Sequence, residues 1–202
     1  ASSIETTSTT TTLKNNGNTY LSVDTNDIVA LTNPLPAASG GTGREYAGIQ
    51  LQTEVASTSG TSIDWTSIPA GVKRITMHFD GVSTTGTSVM MVQIGPSGGV
   101  ETSGYIGTAA YIANEKVLTS GFALLFSDTA ANIHDGRLCL ELGFAATNGW
   151  TIGGIMRRTT GTEIHTIAGS KPLAGELSVV RLTTEGGSTT FDAGLVNVSW
   201  EF

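Results

Sequence analysis

The sequence predicts an all-β protein: a jelly-roll-like antiparallel β-sandwich that follows a short extended segment. Three observations lead there. Turn and strand formers replace helix formers: Gly accounts for 26 of 202 residues, and Ser and Thr for roughly a quarter, while Leu, Glu, Lys and Arg are sparse. Apolar residues recur with a period of two rather than 3.6. Turn-forming pairs punctuate the apolar runs at short intervals, giving roughly nine or ten strands with no helical pattern between them.

Residues 1–12, ASSIETTSTTTT, offer almost nothing to bury, and such a tract alone would be disordered. Residues 13–33 carry two short apolar runs, Tyr20 to Val23 and Ile28 to Leu31, each too small for a core of its own. Copies from several chains around an axis would supply one, so residues 1–33 read as a shaft segment intertwined with partner chains. The stretch 34–45 is a collar linker. Pro34 and Pro36 fix φ and remove two donors, and Gly40, Gly41 and Gly43 permit left-handed turns.

Residues 46–202 form the sandwich domain. In VKRITMHFD, Ile75, Met77 and Phe79 share a face; in GFALLF, Phe122, Leu124 and Phe126 align. In RLCLELGF, Leu138, Leu140, Leu142 and Phe144 point inward, and Val196, Val198, Trp200 and Phe202 do so in the last run. SVMMVQIG is apolar on both faces, as a central or interface strand is. Turns are expected at Pro69-Ala70-Gly71, Thr84-Thr85-Gly86, Gly95-Pro96, Asp135-Gly136, Asn148-Gly149 and Gly186-Gly187. The start at Ala1, without Met, fits either a piece of a longer chain or a processed start.

Composition excludes several functions. A net charge of −7 and a pI near 4.8 leave no basic patch for nucleic acid or for an anionic membrane. No apolar run reaches the roughly 20 residues that membrane insertion requires. No signal peptide is visible. A single cysteine, Cys139, forms no intrachain disulfide. It alternates with Leu138 and Leu140, so it faces away from the core, where a neighbouring subunit would protect it.

No metal, cofactor or catalytic residue is expected. His78, His134 and His165 stand apart in the sequence. The loop Ser127 to Asp135 gathers Asp128, Asn132, His134 and Asp135, a set that suits either a ligand-binding loop, calcium included, or a polar turn capped by Asx side chains. Glu141, Glu163 and Glu176 show no sign of the paired carboxylates of glycoside cleavage. There is no G-x-S-x-G, phosphate loop or HExxH. Sugar rings stack on exposed aromatics, and Tyr105, Tyr111 and Trp150 are the loop-adjacent candidates, with core packing as the competing role. Trp65 and Trp200 read as core.

LPAASGGTG, followed by a β-domain, resembles the collar of tailed-bacteriophage tail fibres. TSIDWTSIPAGVKRITMHFDGVSTTGTS resembles the opening of the receptor-binding tip domain of that family, and TFDAGLVNVSWEF its closing strand. The resemblance covers residues 34–202. It implies a homotrimeric fibre tip on the virion, tied to other tail or baseplate proteins on its N-terminal side. Such a tip binds a host-surface glycan or outer-membrane protein during adsorption. Three acidic chains together favour a neutral glycan, or contact through a divalent-cation bridge, over direct binding of anionic lipopolysaccharide. The alternatives are a purely structural trimerisation or capping module and a polysaccharide depolymerase.

Overall fold

The computed structural model describes residues 2–6, 10–15, 18–24, 29–31, 48–159 and 163–202. The chain divides into two compact units, Ala1–Gly48 and Ile49–Phe202. The collar expected at 34–45 lies outside the described residues.

In the first unit, β1 (Ser2–Thr6), β2 (Thr10–Asn15), β3 (Asn18–Asp24) and β4 (Val29–Leu31) form an antiparallel meander in sequence order. Much of the Ser/Thr tract is therefore strand, paired within its own chain. Threonine is β-branched and stiff at χ1, which suits extended backbone, and ladder hydrogen bonds need no apolar alternation. The register aligns Ile4, Leu13, Leu21 and Leu31 across the four strands.

The second unit is all-β and antiparallel. Its strands are β5 (Gln50–Leu51), β6 (Val55–Ala56), β7 (Ser62–Trp65), β8 (Arg74–Thr84), β9 (Met90–Gly95), β10 (Ile106–Tyr111) and β11 (Asn114–Val117). They continue with β12 (Phe122–Ala123), β13 (His134–Phe144), β14 (Gly149–Arg158), β15 (Ile164–Pro172), β16 (Val179–Thr184) and β17 (Phe191–Glu201). The large sheet runs β11-β10-β15-β14-β13-β8-β17-β5, with β6 also on β17; the small sheet runs β12-β9-β16-β7. The pairings β8 with β17, β9 with β16 and β10 with β15 nest like a long hairpin rolled up, which is jelly-roll-like. The meander β13-β14-β15 widens the large sheet beyond that plan.

One core fills the space between the sheets. Ile75, Met77, Phe79, Leu138, Leu140, Val196 and Val198 are buried as the period-two pattern requires, and every residue of β9 is buried. Three expectations fail. Phe144 is 66% exposed, because a bulge after Leu142 turns the end of β13 outward. Asp135-Gly136 is not a turn but lies inside β13. There a Cβ on Gly136 would sit 2.3 Å from the Ile155 carbonyl oxygen, so the glycine permits close strand approach. In the segment 122–126, Ala123 and Leu125 are buried along with Phe122 and Leu124, so no outward face exists and Phe126 is only half-buried. Asn148 supplies the left-handed residue of its turn at φ 46°, and Gly186 and Gly187 both have positive φ.

The strands define two ends. Gln50 pairs with Trp200 and Leu51 with Ser199, so the unit begins where Glu201, Arg74 and Glu141 align. This end, which also carries the start of β14 and the end of β15, is called proximal. The distal end carries the start of β13 and β15, the end of β14, and the β10–β11 hairpin turn.

Candidate functional site

The candidate residues separate between these ends. Tyr105 and Trp150 are proximal and buried, so neither ring face is open to a sugar. This corrects the expectation for both. The Tyr105 hydroxyl accepts the Ile94 N–H at 2.8 Å and lies 3.0 Å and 2.8 Å from the carbonyls of Ile94 and Glu101. Its ring meets the Phe122 ring edge-on at 4.9 Å, and Lys171 Nζ stands 5.5 Å from its centroid. Burial pushes the phenol up to about 12. Trp150 pairs with Leu142 and Lys171 at an inward position of β14. Both aromatics fill core and present no binding surface.

Tyr111, Asp128, Asn132, His134 and Asp135 are distal. Asp128 Oδ1 accepts from Thr129 N–H at 2.8 Å, Asn132 Nδ2 at 3.0 Å and His134 Nε2 at 3.0 Å. Three members of the predicted set thus form one buried, Asx-capped turn. Asp135 stands apart: it accepts the Gly81 N–H at 2.9 Å and lies 3.7 Å from Arg157, holding the bulge between β8 and β13. Among the described residues no group of three or more His, Cys, Asp or Glu is placed to hold a metal ion.

Tyr111, half-buried at the end of β10, stacks over Phe126 at 6.1 Å and meets His165 at 5.7 Å, while His165 stacks on Phe126 at 5.4 Å. His165, fully buried, accepts the Phe126 N–H at Nδ1 over 3.4 Å. Its Nε2 lies 3.5 Å from Glu163 Oε2, which in turn is 2.6 Å from Arg158 Nη1. Arg158 Nη2 donates to the Ser127 carbonyl at 2.7 Å. Burial, and then the positive charge of Arg158, hold the His165 imidazole below its usual range, against the opposing pull of Glu163. Phe126, Arg158, Glu163 and His165 were not among the predicted site residues. His134 and His165 look isolated along the chain, but both lie on inward positions of the two strands that flank β14, opposite Arg158 and Met156. The closeness of Arg158 and Glu163 along the chain was the one available signal.

The same end exposes three isoleucines, one of them in a strained turn. Ile112, in the β10–β11 turn, is 85% exposed with φ at +54°, and Ile164 and Ile133 at the same end are 54% and 41% exposed. A β-branched residue in the left-handed region costs on the order of 1–2 kcal/mol. A second surface is the outer face of the large sheet, with a groove of about 630 Å³ lined by Arg74, His78, Arg137, Cys139, Glu141 and neighbours. Cys139 is half-buried there, and burial followed by the Glu141 carboxylate pushes its thiol up. Glu141, Glu163 and Glu176 engage different partners, Arg74, Arg158 and the Gly71 N–H. Comparison with protein-family models, with curated proteins and with solved structures gives no match.

Proposed function

We propose that the chain is the host-contacting end of a tailed-phage tail fibre, acting as a homotrimer on the virion and binding a surface glycan or outer-membrane protein without catalysis. The observation that carries this reading is the placement of Ile112. It is a large apolar residue, almost wholly exposed and held at positive φ, at the end of the sandwich opposite the start of the unit. Strain and exposed apolar surface both reduce stability, and a turn that keeps both is best explained by a contact it makes. Loops on a rigid β-scaffold commonly carry binding, and several copies raise a modest affinity by avidity.

The test is competition between the purified chain and phage for adsorption to host cells. The wild-type chain is expected to block adsorption, and Ile112→Asp with Ile164→Asp to weaken the block at least tenfold with melting unchanged. Full competition by the double variant, or none by the wild type, removes the reading.

A second reading, a trimerisation module without receptor contact, is favoured by the outer face of the large sheet. There the register sets Ser199, Thr76, Cys139, Gly153 and Ala168 in one uncharged row, and Leu51, Ile106 and Ile155 are exposed. It predicts that outer-face substitutions dissociate the copies while distal ones leave adsorption intact.

A further inference from the structure

We propose that His165 is the pin of an acid-released latch at the distal end: while neutral it holds the segment 126–134 through the Phe126 N–H, and on protonation it lets that segment go. The geometry is specific. Nδ1 of His165 is the acceptor for the Phe126 N–H at 3.4 Å, and an imidazole nitrogen that carries a proton has no lone pair to offer. Protonation therefore turns an attraction into two hydrogens facing each other in a site with no solvent exposure.

The surrounding charges do not accommodate the imidazolium. Arg158 of β14 faces His165 from one side and already engages Glu163, whose carboxylate lies 3.5 Å from Nε2. His134 of β13 and Asp128 of the segment itself also face it, with Asp128 Oδ1 already taken by Thr129, Asn132 and His134. From β10 the neighbour is the ring of Tyr111, its centroid 5.7 Å from that of His165. An imidazolium here meets a guanidinium and a carboxylate that is already paired.

What the latch holds is the distal surface. Phe126 is stacked on both His165 and Tyr111, the residue before Ile112, so displacement of Phe126 reaches the hairpin turn. The sign follows from linkage. With its folded-state affinity for protons lowered, His165 stabilises the latched state above its ordinary value of about 6.5, and that contribution is lost as pH falls below it. The latch rests on the proposed host-contact role only for its use: a receptor surface that changes shape in mildly acid surroundings.

The experiment is NMR on the isotopically labelled intact chain between pH 7.5 and 5, following imidazole and amide resonances. The expected result is that the Phe126 amide shifts together with the His165 ring, and that its hydrogen exchange accelerates at least tenfold beyond the intrinsic pH effect. His165→Asn supplies a neutral acceptor near the Nδ1 position and is expected to abolish the transition. The proposal is overturned if the Phe126 amide stays protected while His165 titrates, or if the same opening occurs in His165→Asn. Should that variant not fold, the wild-type titration decides alone, because the His134 and His165 rings report separately. No receptor enters the measurement, so its failure leaves the host-contact reading standing, and loss of that reading leaves the latch intact.

Discussion

The two ends of the sandwich share one core but treat their buried polar groups differently. At the proximal end, the Tyr105 hydroxyl serves Ile94 and Glu101, and Lys171 pairs with Glu101, which also accepts the Ala174 N–H at 2.8 Å. Burial would raise the Glu101 carboxyl, but the hydrogen bonds from Lys171 and Ala174 outweigh it and hold the group below its usual range. At the distal end Asp128 Oδ2, His134 Nδ1, Arg158 Nε and His165 Nε2 are buried without a hydrogen bond, and Ile112 is strained. The Trp65 indole N–H, also buried and unbonded, is the exception on the other side. Each such group costs about 1–3 kcal/mol. Under-satisfied polar groups lower the cost of local opening, and segments that bind or switch come from the least stable parts of a fold. One end is built to hold, the other to change.

The comparison is broken most severely at the proximal end. Tyr105→Ala removes a buried ring and leaves backbone groups of Ile94 and Glu101 unserved, with an expected loss of about 4 kcal/mol in urea unfolding. Tyr105→Phe isolates the hydroxyl and is expected to cost about 2 kcal/mol. Lys171→Met strands a partly exposed Glu101 carboxylate; a loss of about 2 kcal/mol is expected, with part regained in the double variant carrying Glu101→Gln. No recovery would show that the pair is not coupled.

Acid sharpens the contrast by acting on the ends in different windows. The distal contribution of His165 is lost first, as pH falls below about 6.5. Glu101, depressed from its ordinary value near 4.5, supports the proximal end until pH falls below that value. Hydrogen exchange at stepped pH is expected to show distal amides opening before proximal ones, and simultaneous opening would erase the distinction. The smallest effect is a gain: Ile112→Gly relieves the left-handed strain and is expected to raise stability by about 1 kcal/mol in thermal unfolding. An unchanged or lowered stability would show that no strain is stored there.

Much of this is legible in the sequence. The alternation in VKRITMHFD and GLVNVSWEF placed Ile75, Met77, Val196 and Val198 inside, because a strand's two faces are set by its own pleat. Asp128, Asn132 and His134 were legible as a group because they lie close together along the chain. Tyr105 and Trp150 were not separable from surface aromatics, since their burial depends on which strand covers them. Phe144 followed the period and was wrong by one bulge. Gly136 looked like a turn because a glycine needed for close strand approach has the same letter as one needed for positive φ.

The sequence by itself determined that the chain is all-β, where most of its turns fall, and which residues face inward along many of its strands. These are local consequences of φ restriction, side-chain branching and a period of two. Only the tertiary structure decided that His165, Arg158, Glu163 and Asp128 meet, that Tyr105 is locked away while Ile112 stands exposed, and that the two ends differ. Those outcomes depend on strand order and register, which set Phe126 against His165, 39 positions away, and Ser127 against Arg158, 31 positions away, beyond the reach of any local pattern.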